Sequence, residues 1–385
     1  MGPVGCEHSG RSRNANTRVA GLIAAVIGTS AELIKMAPVL NRLKDRNADV
    51  EVWYTAMHVQ GFGGLAERAI PNINIRILRD GNRDDDVART LEIPRWLREV
   101  NRAFRRHRPE LIKTLRRDGR PPLILVHGDT FTTVAGSLAA KRLRVPVAHV
   151  EAGYRSGSVL APFPEELDRR FVAGLVDIHF APSAREVENL HRAKGQVVDT
   201  HANTALDSLR MFLDDGWDEP VAEPYGLVTL HRFELMRKPA DINRILEICR
   251  SAAQTTPIRF VTGEHGRARL AQHGLLSWFD DRFTIIERVS YPEFVPILAR
   301  SSFVVTDSGG LQQECSYLGI PCLIHRERTE SDLGLGRNVV LSGLSTEAAR
   351  RFLEDPQRFR SAPLLDEFHP SDRIVEELTT LGYAP

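Results

Sequence analysis

Residues 123–157 read LILVHGDTFTTVAGSLAAKRLRVPVAHVEAGYRSG, and this stretch decides the fold. Residues 123–126 are an unbroken apolar run, His127, Gly128, Asp129 and Thr130 make a polar turn, and residues 133–143 carry Ala and Leu at helical spacing. A second apolar run, 145–150, ends in a polar group of its own: His149, Glu151, Gly153 and Arg155. Strand, turn, helix and strand make a crossover unit, and in a parallel sheet such a unit puts both polar groups at strand carboxyl ends along one edge. Open α/β sheets bind ligands at that edge. Asp129 and Glu151, 22 positions apart in the chain, are therefore expected to face one cleft.

The same alternation extends in both directions. Residues 19–27 read as a buried strand broken by Gly28-Thr29-Ser30, and Leu33, Met36, Val39, Leu40 and Leu43 follow at helical spacing. That loop has one glycine, so a dinucleotide fingerprint is absent. Strands are expected at 51–56 and, on weaker evidence, at 73–78; residues 79–89 read as a charged surface loop and 96–115 as a helix with a basic outer face. Further on, the prolines of 161–166 hold the chain extended before a helix that Glu165 and Glu166 open. Strands at 179–182, 226–229, 258–261, 283–286, 303–306 and 321–325 alternate with helices at 241–253, 291–299, 309–318 and 371–381. The pattern is α/β, a βα alternation repeated twice over, which gives two Rossmann-like halves with a cleft between them. The expected divisions are a disordered leader at 1–18, an N-terminal Rossmann-like domain at 19–205, a second Rossmann-like domain at 206–365, and a closing segment with a helix at 366–385.

Composition narrows the class of partner. With 51 Lys and Arg against 50 Asp and Glu, the formal charge is +1, which argues against nucleic acid or an anionic membrane recognised through bulk charge. Four cysteines without CxxC or Cys/His spacing suit a reducing compartment and argue against structural zinc. No stretch has the length of a membrane span, so a cytoplasmic protein is expected.

Three constellations carry chemistry. Asp307-Ser308-Gly309-Gly310 stands between a strand and a helix, where free amides and the positive end of the helix dipole favour a phosphate; the competing reading is an ordinary capped helix start. Asp129, Glu151 and Glu165 form a set of carboxylates on one edge. Carboxylates brought together repel, so at least one pKa is expected to rise, as suits a general acid or base. Taken singly, Asp129 also reads as a helix cap and Glu165 as a first-turn residue. His231 follows a strand and precedes Arg232, so it is expected to reach the cleft from the second domain. No HxxxH-like ligand spacing appears, and no metal is expected.

Together the motifs GT..E.IKMAP at 28–38, VHGDT at 126–130, HVEAG at 149–153, PEE at 164–166, HR at 231–232 and TDSGG at 306–310 resemble the non-hydrolysing UDP-N-acetylglucosamine 2-epimerases. The resemblance runs from about residue 20 to about residue 335, with the motifs in family order. It implies an α/β fold of GT-B type, two Rossmann-like domains with the active site in the interdomain cleft, in which 206–365 is the UDP-binding domain and the helix at 366–385 returns to the first domain. It also implies a homodimer that interconverts UDP-N-acetylglucosamine and UDP-N-acetylmannosamine through UDP elimination to a glycal, without NAD or metal cofactor. Family catalytic positions fall on Asp129, Glu151, Glu165 and His231. Positions that contact the nucleotide sugar fall on Lys35, Phe294, Ser308, Gly310 and Glu314, with Arg232 and Gly309 beside them.

Two departures bear on substrate. The family's GTRPE reads Gly28-Thr29-Ser30-Ala31-Glu32 here, and its TTERPE reads Arg328-Thr329-Glu330-Ser331-Asp332, so two ligand-facing arginines become Ser30 and Ser331. Competing functions are a hydrolysing 2-epimerase that releases N-acetylmannosamine and UDP, a GT-B glycosyltransferase, and a non-catalytic nucleotide-sugar-binding protein.

Overall fold

The computed structural model describes residues 21–59, 61–79, 92–115, 121–155, 165–219, 221–231 and 239–385. The leader 1–18, most of the charged loop at 79–89, and Arg232 lie outside the described residues, as does the side chain of Glu165.

Two parallel sheets organise the chain. The first contains β1 (Ile23–Ile27), β2 (Val50–Tyr54), β3 (Asn74–Ile77), β4 (Leu123–His127), β5 (Val147–Val150), β6 (Ile178–Ala181) and β7 (Gln196–Asp199), in the order β3-β2-β1-β4-β5-β6-β7. The second contains β8 (Gly226–Thr229), β9 (Ile258–Thr262), β10 (Phe283–Glu287), β11 (Phe303–Thr306), β12 (Cys322–Ile324) and β13 (Val339–Leu341), in the order β10-β9-β8-β11-β12-β13. The central strands β1, β4, β5 and β6 are buried at every position, as strands covered by helices on both faces must be. The strand order reverses between β1 and β4 and again between β8 and β11, and each reversal opens a crevice at the carboxyl ends. This is the GT-B architecture.

Close packing sets these crevices. The helix Phe131–Leu143 lies tightly over the sheet at Gly136, where an added Cβ would meet Val126 Cγ1 at 2.7 Å and Val26 Cβ at 3.1 Å. In the second sheet the Thr229 and Thr306 hydroxyls, paired in register, bond at 2.7 Å beneath the turn that carries Ser308. The last helix, Pro370–Thr380, inserts Ile374, Val375 and Leu378 into the apolar cluster of the first sheet. Its start is fixed by Ser371 N donating to Asp207 Oδ2 at 2.8 Å. The helix Ala205–Phe212 packs against both Ser30–Asp45 of the first sheet's layer and Gly309–Leu318 of the second.

Several elements differ from the sequence expectation. β7 and β13 are strands that the sequence reading omits, and β3 is shorter than 73–78. β3 and β7 are short edge strands with mostly exposed or half-exposed residues, so they lack the apolar run that marks an interior strand. The helix Ala205–Phe212, which follows β7, is also absent from the sequence reading.

Candidate active site

A cavity of about 330 Å³ lies between the two sheets' carboxyl edges. Lys35, Asp129, Glu151 and Arg169 line it from the first sheet's side; Ser308, Gly309, Gly310 and the segment Thr329, Glu330 and Ser331 line it from the second. Lys35 is presented by the helix Ser30–Asp45, whose start is fixed by a reciprocal cap between Thr29 and Glu32. Asp129 and Glu151 come from the turns after β4 and β5.

Glu151 is the most constrained group. Lys35 Nζ donates to its Oε1 at 2.7 Å and its Oε2 at 2.9 Å, Asn203 Nδ2 donates to Oε1 at 2.7 Å, and His127 Nε2 lies 3.1 Å from Oε2. Its backbone is left-handed, with φ of 66°, a conformation that disfavours a side chain. Burial alone would push this carboxyl up, but the Lys35 charge and the hydrogen bonds from Lys35 and Asn203 outweigh it and hold Glu151 at about 2. The rise expected from clustered carboxylates is thus reversed at Glu151, because it and Asp129 each have a cation of their own. Asp129 accepts from Arg169 Nη2 at 2.6 Å and Nε at 3.0 Å. Nor does Asp129 cap its helix: Thr130 does, accepting from Thr132 N at 3.1 Å.

Two carboxyls that do rise strongly are Glu32 and Glu314. Burial pushes Glu32 up to about 7 against hydrogen bonds from Thr130, Gly28 and Thr29. Burial likewise pushes Glu314 up to about 7 against a hydrogen bond with Tyr291 and the charge of Lys35. Burial also drives His127 down to about 4, so its imidazole is neutral beside Glu151.

On the opposite wall, Ser308 is both the helix cap and a lining residue: its Oγ accepts from Leu311 N at 3.4 Å. The first amides of Gly309–Leu318 therefore border the cavity, with room around them. An added Cβ at Gly310 meets nothing closer than Ser308 Oγ at 3.7 Å. Gly310→Val should consequently fold normally yet fill the space a phosphate would take, weakening UDP binding by roughly tenfold or more, a loss of about 1.4 kcal/mol or more. Titration calorimetry with UDP is the check, and unchanged affinity would reduce the motif to a helix start.

The match to a family model described as UDP-N-acetylglucosamine 2-epimerase spans residues 41–361. A Bacillus subtilis UDP-N-acetylglucosamine 2-epimerase is 33% identical over 92% of this chain and 94% of its own. The chain belongs to the UDP-N-acetylglucosamine 2-epimerase family. Among solved members, the Neisseria meningitidis UDP-GlcNAc 2-epimerase bound to UDP-GlcNAc matches with a TM-score of 0.76 and 25% identity, covering 93% of this chain and 100% of that one. The Methanocaldococcus jannaschii UDP-GlcNAc 2-epimerase in complex with UDP-GlcNAc and UDP matches with a TM-score of 0.71 and 26% identity, covering 93% and 99%.

Within this family frame, the structure brings Lys35, Asp129, Glu151, Ser308, Gly309 and Gly310 to one cavity. Glu314, Phe294 and His231 do not line it. Glu314 is half-buried against Tyr291, within reach of the Lys35 charge, and Phe294 packs on the second sheet's apolar cluster. His231 is exposed at the end of β8, with its backbone N donating to buried Asp307 at 3.0 Å and its Nδ1 3.3 Å from the same carboxylate. Of the two serines at family arginine positions, Ser331 lines the cavity and Ser30 begins the helix that carries Lys35. Arg326 is no free replacement, because Glu330 grips it at 2.9 and 3.0 Å. Arg169, which lines the cavity, and Asn203, which bonds Glu151, are among the site residues the sequence reading missed. Neither sits in a motif that announces it. Among the described residues no three His, Cys, Asp or Glu side chains are grouped to hold a metal ion, and no helix is long and apolar enough to cross a membrane.

Proposed function

We propose that this enzyme interconverts UDP-N-acetylglucosamine and UDP-N-acetylmannosamine, without hydrolysis, by eliminating UDP and adding it back. One observation carries this reading: a set of carboxylates with paired cations faces an open helix N-terminus across a single cavity. The helix start suits the diphosphate and the carboxylates suit the sugar.

The C2 proton of an N-acetylhexosamine is not adjacent to a carbonyl, so its direct removal is slow. Departure of UDP breaks the C1–O bond and builds oxocarbenium character that acidifies C2. A carboxylate among Asp129, Glu151 and Glu165 takes that proton, leaving a glycal and UDP in the cleft. Return of a proton to the other face of C2, with UDP re-forming its bond to C1, completes the inversion. No atom is gained or lost. Ligand-free Glu151 is too weak a base for the first step, since Lys35 neutralises it. A diphosphate offers Lys35 another anion; once the ammonium turns away, burial dominates and the Glu151 carboxylate regains basicity. His231, held by Asp307, serves the departing phosphate. Closure of the two sheets keeps glycal and UDP together between steps.

We further infer a cytoplasmic homodimer, with the chain dividing near residue 205 and residues 366–385 belonging to the first unit. The decisive test of the activity is incubation with UDP-N-acetylglucosamine in deuterated water, read by mass spectrometry and NMR. Deuterium at C2 of intact UDP-sugar is the expected result. Free N-acetylmannosamine would establish the hydrolysing reaction instead, and no exchange at C2 would sink both.

A further inference from the structure

Asn203 lies in the connection between β7 and the helix Ala205–Phe212 and is only 3% exposed, and all its polar groups are committed in different directions. Its Nδ2 donates to Glu151 Oε1 at 2.7 Å, on the first sheet's edge. Its backbone N donates to the Tyr317 hydroxyl at 2.8 Å, on the second sheet's helix Gly309–Leu318. Its Oδ1 accepts from Ala205 N at 2.9 Å, which starts the helix that packs on both layers.

Tyr317 is buried and belongs to the same helix whose first turn, Ser308 to Gly310, borders the cavity. Seven residues of α-helix span about 10 Å, so a displacement of the helix start is carried rigidly to Tyr317. Asn203 is the point where that displacement meets a carboxylate. Glu151 has reason to need such a clamp, because its left-handed backbone leaves its aim to its hydrogen-bond partners.

We infer that Asn203 is a positioning residue that couples the seating of the helix Gly309–Leu318 to the aim of the Glu151 carboxylate. The inference rests on the proposed role of Glu151 and adds to it a route by which diphosphate binding on one sheet is felt at the proton-transfer group on the other. Asparagine suits the position better than aspartate: its amide donates to a carboxylate that a second negative charge would repel.

The test uses the full chain, with wild-type C2 deuterium exchange as the control; failure of that control indicts the epimerase reading, whereas the inference is judged on the variants alone. Asn203→Ala is expected to lower kcat by roughly tenfold or more while KM and the UDP dissociation constant stay within about threefold. Tyr317→Phe removes only a hydroxyl on the far sheet, and Tyr317 is not a cavity-lining residue. It is expected to lower kcat by about threefold or more with UDP affinity retained, and the double variant is expected to be no slower than Asn203→Ala alone, the non-additivity of one connected path. Thermal unfolding verifies that each variant is folded; if Asn203→Ala is not, Tyr317→Phe decides by itself. Wild-type kcat in Tyr317→Phe, additive losses in the double variant, or an effect confined to KM would each overturn the coupling.

Discussion

Asp129→Asn should keep the fold and lower turnover by on the order of 10²-fold or more, the usual consequence of removing a positioned acid or base. Its side chain is 39% exposed, so the neutral amide remains hydrated and can still accept from Arg169. Glu151→Gln should lose at least as much, for a different reason. The amide retains an oxygen for Asn203 but carries no charge for Lys35 and no basicity for C2, so UDP binding should survive while C2 exchange disappears. Comparing deuterium incorporation with UDP affinity in both variants separates chemistry from binding. Near-normal exchange in either one removes that residue from the mechanism.

Lys35→Ala should show the second large effect, and its signature is in the pH dependence. In the wild type, burial opposes ionisation of Glu151, yet Lys35 and the hydrogen bonds around it hold the carboxyl at about 2 rather than the ordinary 4.5. A depressed folded-state pKa contributes stability that is present above the unfolded value and lost as pH falls from there through about 2. That contribution is about 3 kcal/mol at neutral pH. Without Lys35, burial becomes the dominant influence and the folded pKa moves above the unfolded one. The sign then inverts: the variant loses stability as pH rises through the carboxylate range. Urea unfolding at about pH 7 should therefore show a deficit of roughly 3 kcal/mol or more that narrows markedly at about pH 4. A deficit independent of pH would mean that Lys35 contributes packing only, and that the Glu151 pairing is not what sets the charge in this cleft.

Both predictions depend on pairings of differing legibility. The run LILVHGDT followed by HVEAG identifies two parallel strands and their polar turns, because a buried parallel strand must be apolar throughout and must end where ligands bind. That is why Asp129 and Glu151 are found at one cavity, as their spacing implies. The glycine pair after β11 was legible for the same reason: a polar, glycine-rich strand end opening a helix is a local signal.

Charge state was not legible. Lys35 and Glu151 are 116 positions apart and Asp129 and Arg169 are 40 apart, and no local pattern tells a reader that each carboxylate has a cation of its own. The sequence therefore suggested mutual repulsion and a raised pKa, whereas the folded chain lowers the pKa of Glu151 and raises those of Glu32 and Glu314. Edge strands were hidden too, since β7 buries only Val198 fully and carries no continuous apolar run. Periodicity and turn chemistry are short-range and survive in the linear chain, so by themselves they determined the layered α/β fold, the two sheets and the edge that holds the site. The ionisation of Glu151, the capture of Arg326 by Glu330 and the crossing of Asn203 between sheets arise from contacts between remote segments under shared burial. Only the tertiary structure decides those, because desolvation and Coulomb energy depend on distance in space and not on separation along the chain.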